Sequence, residues 1–119
     1  MLINNQNYRT IWMQNSSVCM INQQLLPHKF EIYKSKNHVE TADAIKTMIV
    51  RGAPAIGAAG AFGLAQAALE FEGKNFDDFK EHVLKASKIL KSTRPTANDL
   101  FYAIDFVMEK TFKGFSVTH

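Results

Sequence analysis

Two of the chain's three arginines, Arg51 and Arg94, stand immediately before positions where helices are expected to start, whereas the other basic side chains are eleven lysines. A helix N-terminus carries backbone N–H groups without intrahelical partners and the positive end of the helix dipole, so an anion there gains hydrogen bonds and favourable electrostatics. An adjacent guanidinium adds a planar fork of donors that matches phosphate oxygens. In Arg51-Gly52-Ala53-Pro54 the residues after the arginine are small, so a ligand can approach the main chain closely. Gly52 can also take the positive φ that turns often use. Pro54 has no N–H, but its ring presets a helical φ in the first turn. Arg94-Pro95-Thr96 repeats this logic, with the hydroxyls of Thr93 and Thr96 nearby. Spacing alone leaves two readings open: anion binding at these helix starts, or ordinary loop arginines paired with surface carboxylates.

The remaining chemistry-bearing residues form no set. Gly57, Gly60 and Gly63 follow Arg51, but neither a dinucleotide-binding nor a P-loop glycine pattern occurs, and no apolar strand leads into them. Because Gly costs about 1 kcal/mol relative to Ala inside a helix, close packing by neighbouring elements is the expected compensation. His28, His38, His82 and His119 are scattered without metal-ligand spacing and read as surface or capping residues. Cys19 sits between Val18 and Met20 in a predicted strand, where cysteine is usually an inert small hydrophobe. Asp43, Asp99 and Asp105 fall on predicted helices, and nothing in the pattern selects one as a general acid.

The elements that must position the two arginines are legible in outline. Residues 1–28 hold one full charge, Arg9, and nine of the chain's thirteen Asn and Gln. Tyr8 to Met13 and Val18 to Ile21 are β-branched or aromatic runs separated by the turn signal Asn15-Ser16-Ser17, and Phe30 to Tyr33 alternates. From Asn37 the period becomes helical. Asn37 and Glu40 resemble a capping box, and Val39, Ala42, Ile45 and Ile49 carry a first helix to about Val50. A second helix starts near Pro54. A third puts Phe76, Phe79, Val83, Ala86 and Leu90 on one face, with acids early and lysines late as the dipole favours. Thr96 and Asp99 can cap a fourth, running through Phe112. The expected fold is α+β: a short N-terminal antiparallel β-meander over residues 1–35, then a helical bundle of four helices over 36–112, in a single domain. Residues 113–119 read as a truncated tail.

Bulk properties exclude several classes. The chain has 119 residues and a mass of 13.4 kDa, which suits one domain and is short for a complete sugar-phosphate enzyme. With 46% hydrophobic and 21% charged residues it is neither disordered nor fibrous. A net charge of +3 without a dense basic run does not point to nucleic acid. One cysteine excludes a disulfide framework, and a cytoplasmic setting is expected. Ala53 to Leu69 has Gln66 as its only polar side chain, but it is short, Ala- and Gly-rich and unanchored, so a buried soluble helix is expected and no membrane span.

The segment Val50-Arg51-Gly52-Ala53-Pro54-Ala55-Ile56-Gly57, continuing to Gly63, resembles the signature of the methylthioribose-1-phosphate isomerases, in the family that includes the regulatory subunits of translation initiation factor 2B. Tyr8-Arg9-Thr10-Ile11-Trp12, Gln23-Gln24-Leu25-Leu26-Pro27 and Leu90 to Asn98 resemble the isomerase branch in the same order. The resemblance runs over nearly the whole chain. It implies conversion of 5-methylthioribose 1-phosphate to 5-methylthioribulose 1-phosphate in methionine salvage, without a metal or organic cofactor. It places substrate binding on Arg51, Gly52, Ala53 and Arg94, and it implies a homodimer in the full-length protein. The family's catalytic cysteine and aspartate belong to a Rossmann-like C-terminal domain that these residues do not include, so the chain alone is expected to bind a phosphorylated sugar and to turn nothing over. Asn22 departs from the pattern, standing where the family commonly has an acid. A related ribose-phosphate isomerase and a non-catalytic regulatory or assembly module remain the alternatives.

Overall fold

The Asn- and Gln-rich start of the chain folds as antiparallel ladders, and the charged remainder adds one strand and then folds as helices. The computed structural model describes residues 2–3, 6–7, 11–25, 28–50 and 52–118, with side chains for 11–25, 28–50 and 52–113. Strands β1 (Leu2–Ile3) and β2 (Gln6–Asn7) make a two-residue ladder that the sequence did not announce. The meander is β3 (Ile11–Gln14), β4 (Ser17–Ile21) and β5 (Ile32–Ser35), in the order β3-β4-β5. Its first turn is tighter than expected, because Ser17 pairs with Gln14 and only Asn15 and Ser16 cross over. Asn15 takes φ 56°, a left-handed value that Asn tolerates better than most residues and that two-residue hairpins require. The third strand begins two residues later than its alternation suggested, with Ile32 opposite Ile21. Tyr8, Arg9 and Thr10, the start of the expected first strand, lie outside the described residues.

Helix α1 (His38–Lys46) starts as expected, with the Asn37 Oδ1 accepting from Glu40 N at 2.9 Å. The reciprocal half of the box differs, since Glu40 Oε1 reaches Lys36 N rather than the Asn37 amide. Its end corrects the sequence reading. The helix stops at Lys46 instead of Val50, because Met48 N donates to Ile45 O and Ile49 N to Ala44 O, the paired bonds of a Schellman ending. Such an ending normally carries Gly in its left-handed position. Here Met48 fills it at φ 66°, so no glycine marked the stop.

Helix α2 (Ala53–Glu70) is the central element, packed on α1, α3 and α4. Helix α3 (Phe76–Ser92) is capped by Asn75, whose Oδ1 accepts from Asp77 N at 2.7 Å and Asp78 N at 3.2 Å. Helix α4 (Asn98–Thr118) runs well past Phe112, through most of the segment read as a tail. Its first intrahelical bond is Phe101 N to Ala97 O at 3.2 Å, so Ala97 occupies the cap position and not the expected Thr96.

The glycines of α2 meet neighbours at close range, as their helical cost required. A β-carbon on Gly60 would overlap Leu100 Cδ1, and one on Gly63 would stand 2.9 Å from Leu90 Cδ2. Leu64, Val83, Leu90, Leu100 and Ile104 fill the core between the helices. The polar side chain inside α2, Gln66, is 1% exposed and fully engaged. Its Nε2 donates to Ser16 O at 3.0 Å and Ser35 O at 3.1 Å, and its Oε1 accepts from Thr41. One amide thereby fastens the bundle to the meander. Among the described residues, no helix is long and apolar enough to cross a membrane.

Candidate functional site

Helices α2 and α4 lie against each other with their N-termini at the same end. Gly57 permits this approach, since a β-carbon there would stand 3.2 Å from the Asp99 carbonyl oxygen. The two helix starts consequently border one cleft of about 670 Å³, lined by Gly52, Ala53 and Ile56 on one side and by residues 94–99 on the other. Most of these residues are exposed, so the cleft opens to solvent, while Ile56 forms a buried floor.

Gly52 sits at the mouth as the α2 cap, with φ 92° and ψ 135°, a combination that only Gly adopts without strain. Its carbonyl takes the first intrahelical bond, from Ile56 N at 2.9 Å. The amides of Ala53 and Ala55 therefore precede the ladder of α2, as those of Asn98 and Asp99 precede that of α4. Two positive dipole ends thus border one cavity, which Ala53, Asn98 and Asp99 help to line.

Arg94 joins them as a half-buried side chain on the cleft wall. Among the described residues no carboxylate lies within 4.0 Å of its guanidinium, so the pairing with surface acids that spacing left open is not made there. The nearby Lys91 behaves differently, pairing with Asp105 at 2.6 Å and lying over the Phe101 ring. Arg51 lies outside the described residues. Its neighbours are placed: Val50 is fully buried and Gly52 is at the cleft.

The segment leading to Gly52 is held by the loop after β4. Gln23 N donates to Ile49 O at 2.8 Å, and Gln24 Nε2 donates to Thr47 O. Asn22 Oδ1 accepts from Gln24 N at 3.0 Å, so this residue supplies the oxygen acceptor that an acid would also offer. Of Asp43, Asp99 and Asp105, Asp99 alone lines the cleft. The sequence offered Asp99 only as a cap and as one acid among several, and it did not join Ala97, Asn98 and Asp99 to Arg94; their position at the start of the helix that follows Arg94 was the available signal.

His38 and His82 serve the fold. His38, 8% exposed, begins α1, and Glu70 at the end of α2 accepts from its backbone N at 2.9 Å while its other oxygen lies 2.7 Å from the ring Nδ1. His82 Nε2 lies 2.9 Å from Ala67 O. Cys19 is buried in β4. Among the described residues no three His, Cys, Asp or Glu side chains come together in a way that could hold a metal ion.

Comparison with known proteins finds a match between residues 49–118 and the sequence profile of the initiation factor 2 subunit family. The methylthioribose-1-phosphate isomerase of Crocosphaera subtropica is 39% identical over 109 residues, which cover 92% of this chain and 31% of that protein. A crystal structure of 5-methylthioribose 1-phosphate isomerase from Pyrococcus horikoshii superposes with a TM-score of 0.78 at 41% identity, covering 92% of this chain and 35% of that one. A crystal structure of the translation initiation factor eIF-2B, subunit delta, from Archaeoglobus fulgidus superposes at 0.82 with 40% identity, covering 94% and 35%. The chain spans less than a third of the length of the curated relatives it matches.

Proposed function

The chain belongs to the initiation factor 2 subunit family, and we propose that it is the substrate-holding N-terminal part of a methylthioribose-1-phosphate isomerase. The observation that carries this reading is the single cleft onto which two helix N-termini and the Arg94 guanidinium open. Such a cleft suits a phosphate ester, whose oxygens accept from backbone amides and from a guanidinium fork. Arg51, Gly52, Ala53 and Arg94 are the residues proposed to hold the substrate. The reaction is the conversion of 5-methylthioribose 1-phosphate to 5-methylthioribulose 1-phosphate, in which hydrogen moves between C1 and C2 and the aldose becomes a ketose. The phosphate at C1 blocks simple ring opening, so orientation and electrostatic stabilisation carry much of the task. This chain's part is to fix the phosphate and help exclude water. The reacting groups are assigned to a further domain, in a cytoplasmic homodimer that works without metal or organic cofactor.

Calorimetric titration of the chain with 5-methylthioribose 1-phosphate tests the reading. Binding is expected, and Arg94→Ala should weaken it about tenfold, the loss of one charge-assisted contact. No turnover is expected from the chain alone. Undetectable binding by the wild-type protein would sink the assignment. The similarity to the eIF-2B delta subunit favours a second reading, a regulatory or assembly module. Fusing the chain to the part of the Crocosphaera subtropica isomerase that it does not cover separates the two: turnover supports the enzyme, and sugar-phosphate binding without turnover supports the module.

A further inference from the structure

The cleft holds one described cation and one carboxylate, Arg94 and Asp99, at the two ends of a six-residue segment. Among the described residues neither is within ion-pair distance of an opposite charge, although both line the same cavity. Lys91 of α3 and Asp105 of α4, by contrast, have closed onto each other at 2.6 Å. The backbone of Asp99 is fixed in place: it lies in the first turn of α4, and a β-carbon on Gly57 would stand 3.2 Å from its carbonyl oxygen.

From this arrangement we infer that Asp99 is a specificity-determining residue, selecting a phosphomonoester with free hydroxyls over a bisphosphate. The inference rests on the sugar-phosphate reading above and extends it. A phosphate on Arg94 and the helix starts leaves Asp99 facing the rest of the ligand. A carboxylate offers only acceptors, so it takes hydrogen bonds from hydroxyl groups, two of them when neighbouring hydroxyls match its two oxygens. The same negative charge repels a second phosphate. Ile56, Ala53 and Pro95 supply an apolar wall for a substituent without charge. The ligand class that satisfies all three features has one anionic end, a hydroxylated middle and an apolar end.

The test is calorimetric titration of the chain and of Asp99→Asn with inorganic phosphate, 5-methylthioribose 1-phosphate and ribose 1,5-bisphosphate. The wild-type protein should prefer the monophosphate to the bisphosphate by about tenfold, and in Asp99→Asn that ratio should fall towards unity. Affinity for inorganic phosphate should be unchanged or higher in the variant. Asp99 is exposed and Asn preserves its shape, so the variant is expected to fold; a melting curve checks this, and a lowered Tm with an unchanged ratio would mark Asp99 as merely a helix-dipole partner. An unchanged ratio in a protein that still binds phosphate through Arg94 overturns the inference and leaves the anion site standing. If the wild-type protein binds none of the three and Arg94→Ala changes nothing, the anion site fails and the inference with it.

Discussion

Gly57 and Asp99 are in contact across the top of the bundle, so close that a β-carbon on the glycine would stand 3.2 Å from the aspartate's carbonyl oxygen. This contact sets the spacing of the two helix starts. With a larger residue at Gly57 the N-terminus of α4 would have to move away from α2, and the helix starts that border one cleft would separate. The glycines of α2 therefore connect packing to the proposed function without touching a ligand.

Gly60→Ala probes the same interface one turn deeper. Its β-carbon would overlap Leu100 Cδ1 and stand 3.2 Å from Ile104 Cγ1, both buried core side chains with little room to move. The better helix propensity of Ala offsets about 1 kcal/mol, whereas overpacking costs about 1–3 kcal/mol. A net loss of stability is expected in urea unfolding, together with weaker phosphate binding as α2 and α4 spread. An unchanged or raised midpoint would show that the interface yields more readily than its geometry implies.

Met48 and Gly52, on either side of a stretch that holds half-buried Ile49 and fully buried Val50, both have positive φ, and they should respond in opposite senses. Met48, at φ 66°, closes a Schellman ending in a conformation that disfavours side chains, so Met48→Gly should be neutral or stabilising by up to about 1 kcal/mol. Gly52, at φ 92°, has open space where a β-carbon would go, so Gly52→Ala isolates backbone strain from crowding. That strain should cost about 1–3 kcal/mol or shift the cleft mouth. Thermal melts and phosphate titration of both variants provide the check, and loss of binding in Gly52→Ala with an unchanged Tm would locate the effect in the cleft.

Tyr33 gives the chain an alkaline limit. Its phenol is held above the ordinary value of 10.0 chiefly by burial, then by the negative charges of Glu40 and Asp43. The neutral phenol is thus favoured in the folded state. Its contribution to stability is complete below the unfolded value and is lost as pH rises through the folded one. Tm should fall as pH rises above about 10, the unfolded value, and less steeply in Tyr33→Phe. Equal slopes in the two proteins would assign the alkaline loss to other groups.

The features readable in the sequence are those whose cause lies within a few residues. Asn37 caps α1 because its amide oxygen reaches an amide three positions ahead, and Asn15 turns a hairpin because Asn tolerates the left-handed region. The apolar periods of α1 and α3 were visible for the same reason, and with the turn signals they determined the α+β order of elements. The stop of α1 was not visible, because a Schellman ending normally advertises itself with glycine and Met48 stands there instead. Gln66 looked like an isolated polar residue in an apolar helix; only the folded chain supplies Ser16, Ser35 and Thr41 as its partners. The arginines at helix starts were likewise evident one at a time. That the start of α2 and the segment from Arg94 to Asp99 border one cleft was decided by the tertiary structure, since it depends on glycines of one helix admitting another that lies far along the chain. No local signal encodes that distance, because the energy that sets it is packing between elements and arises only once both are in place.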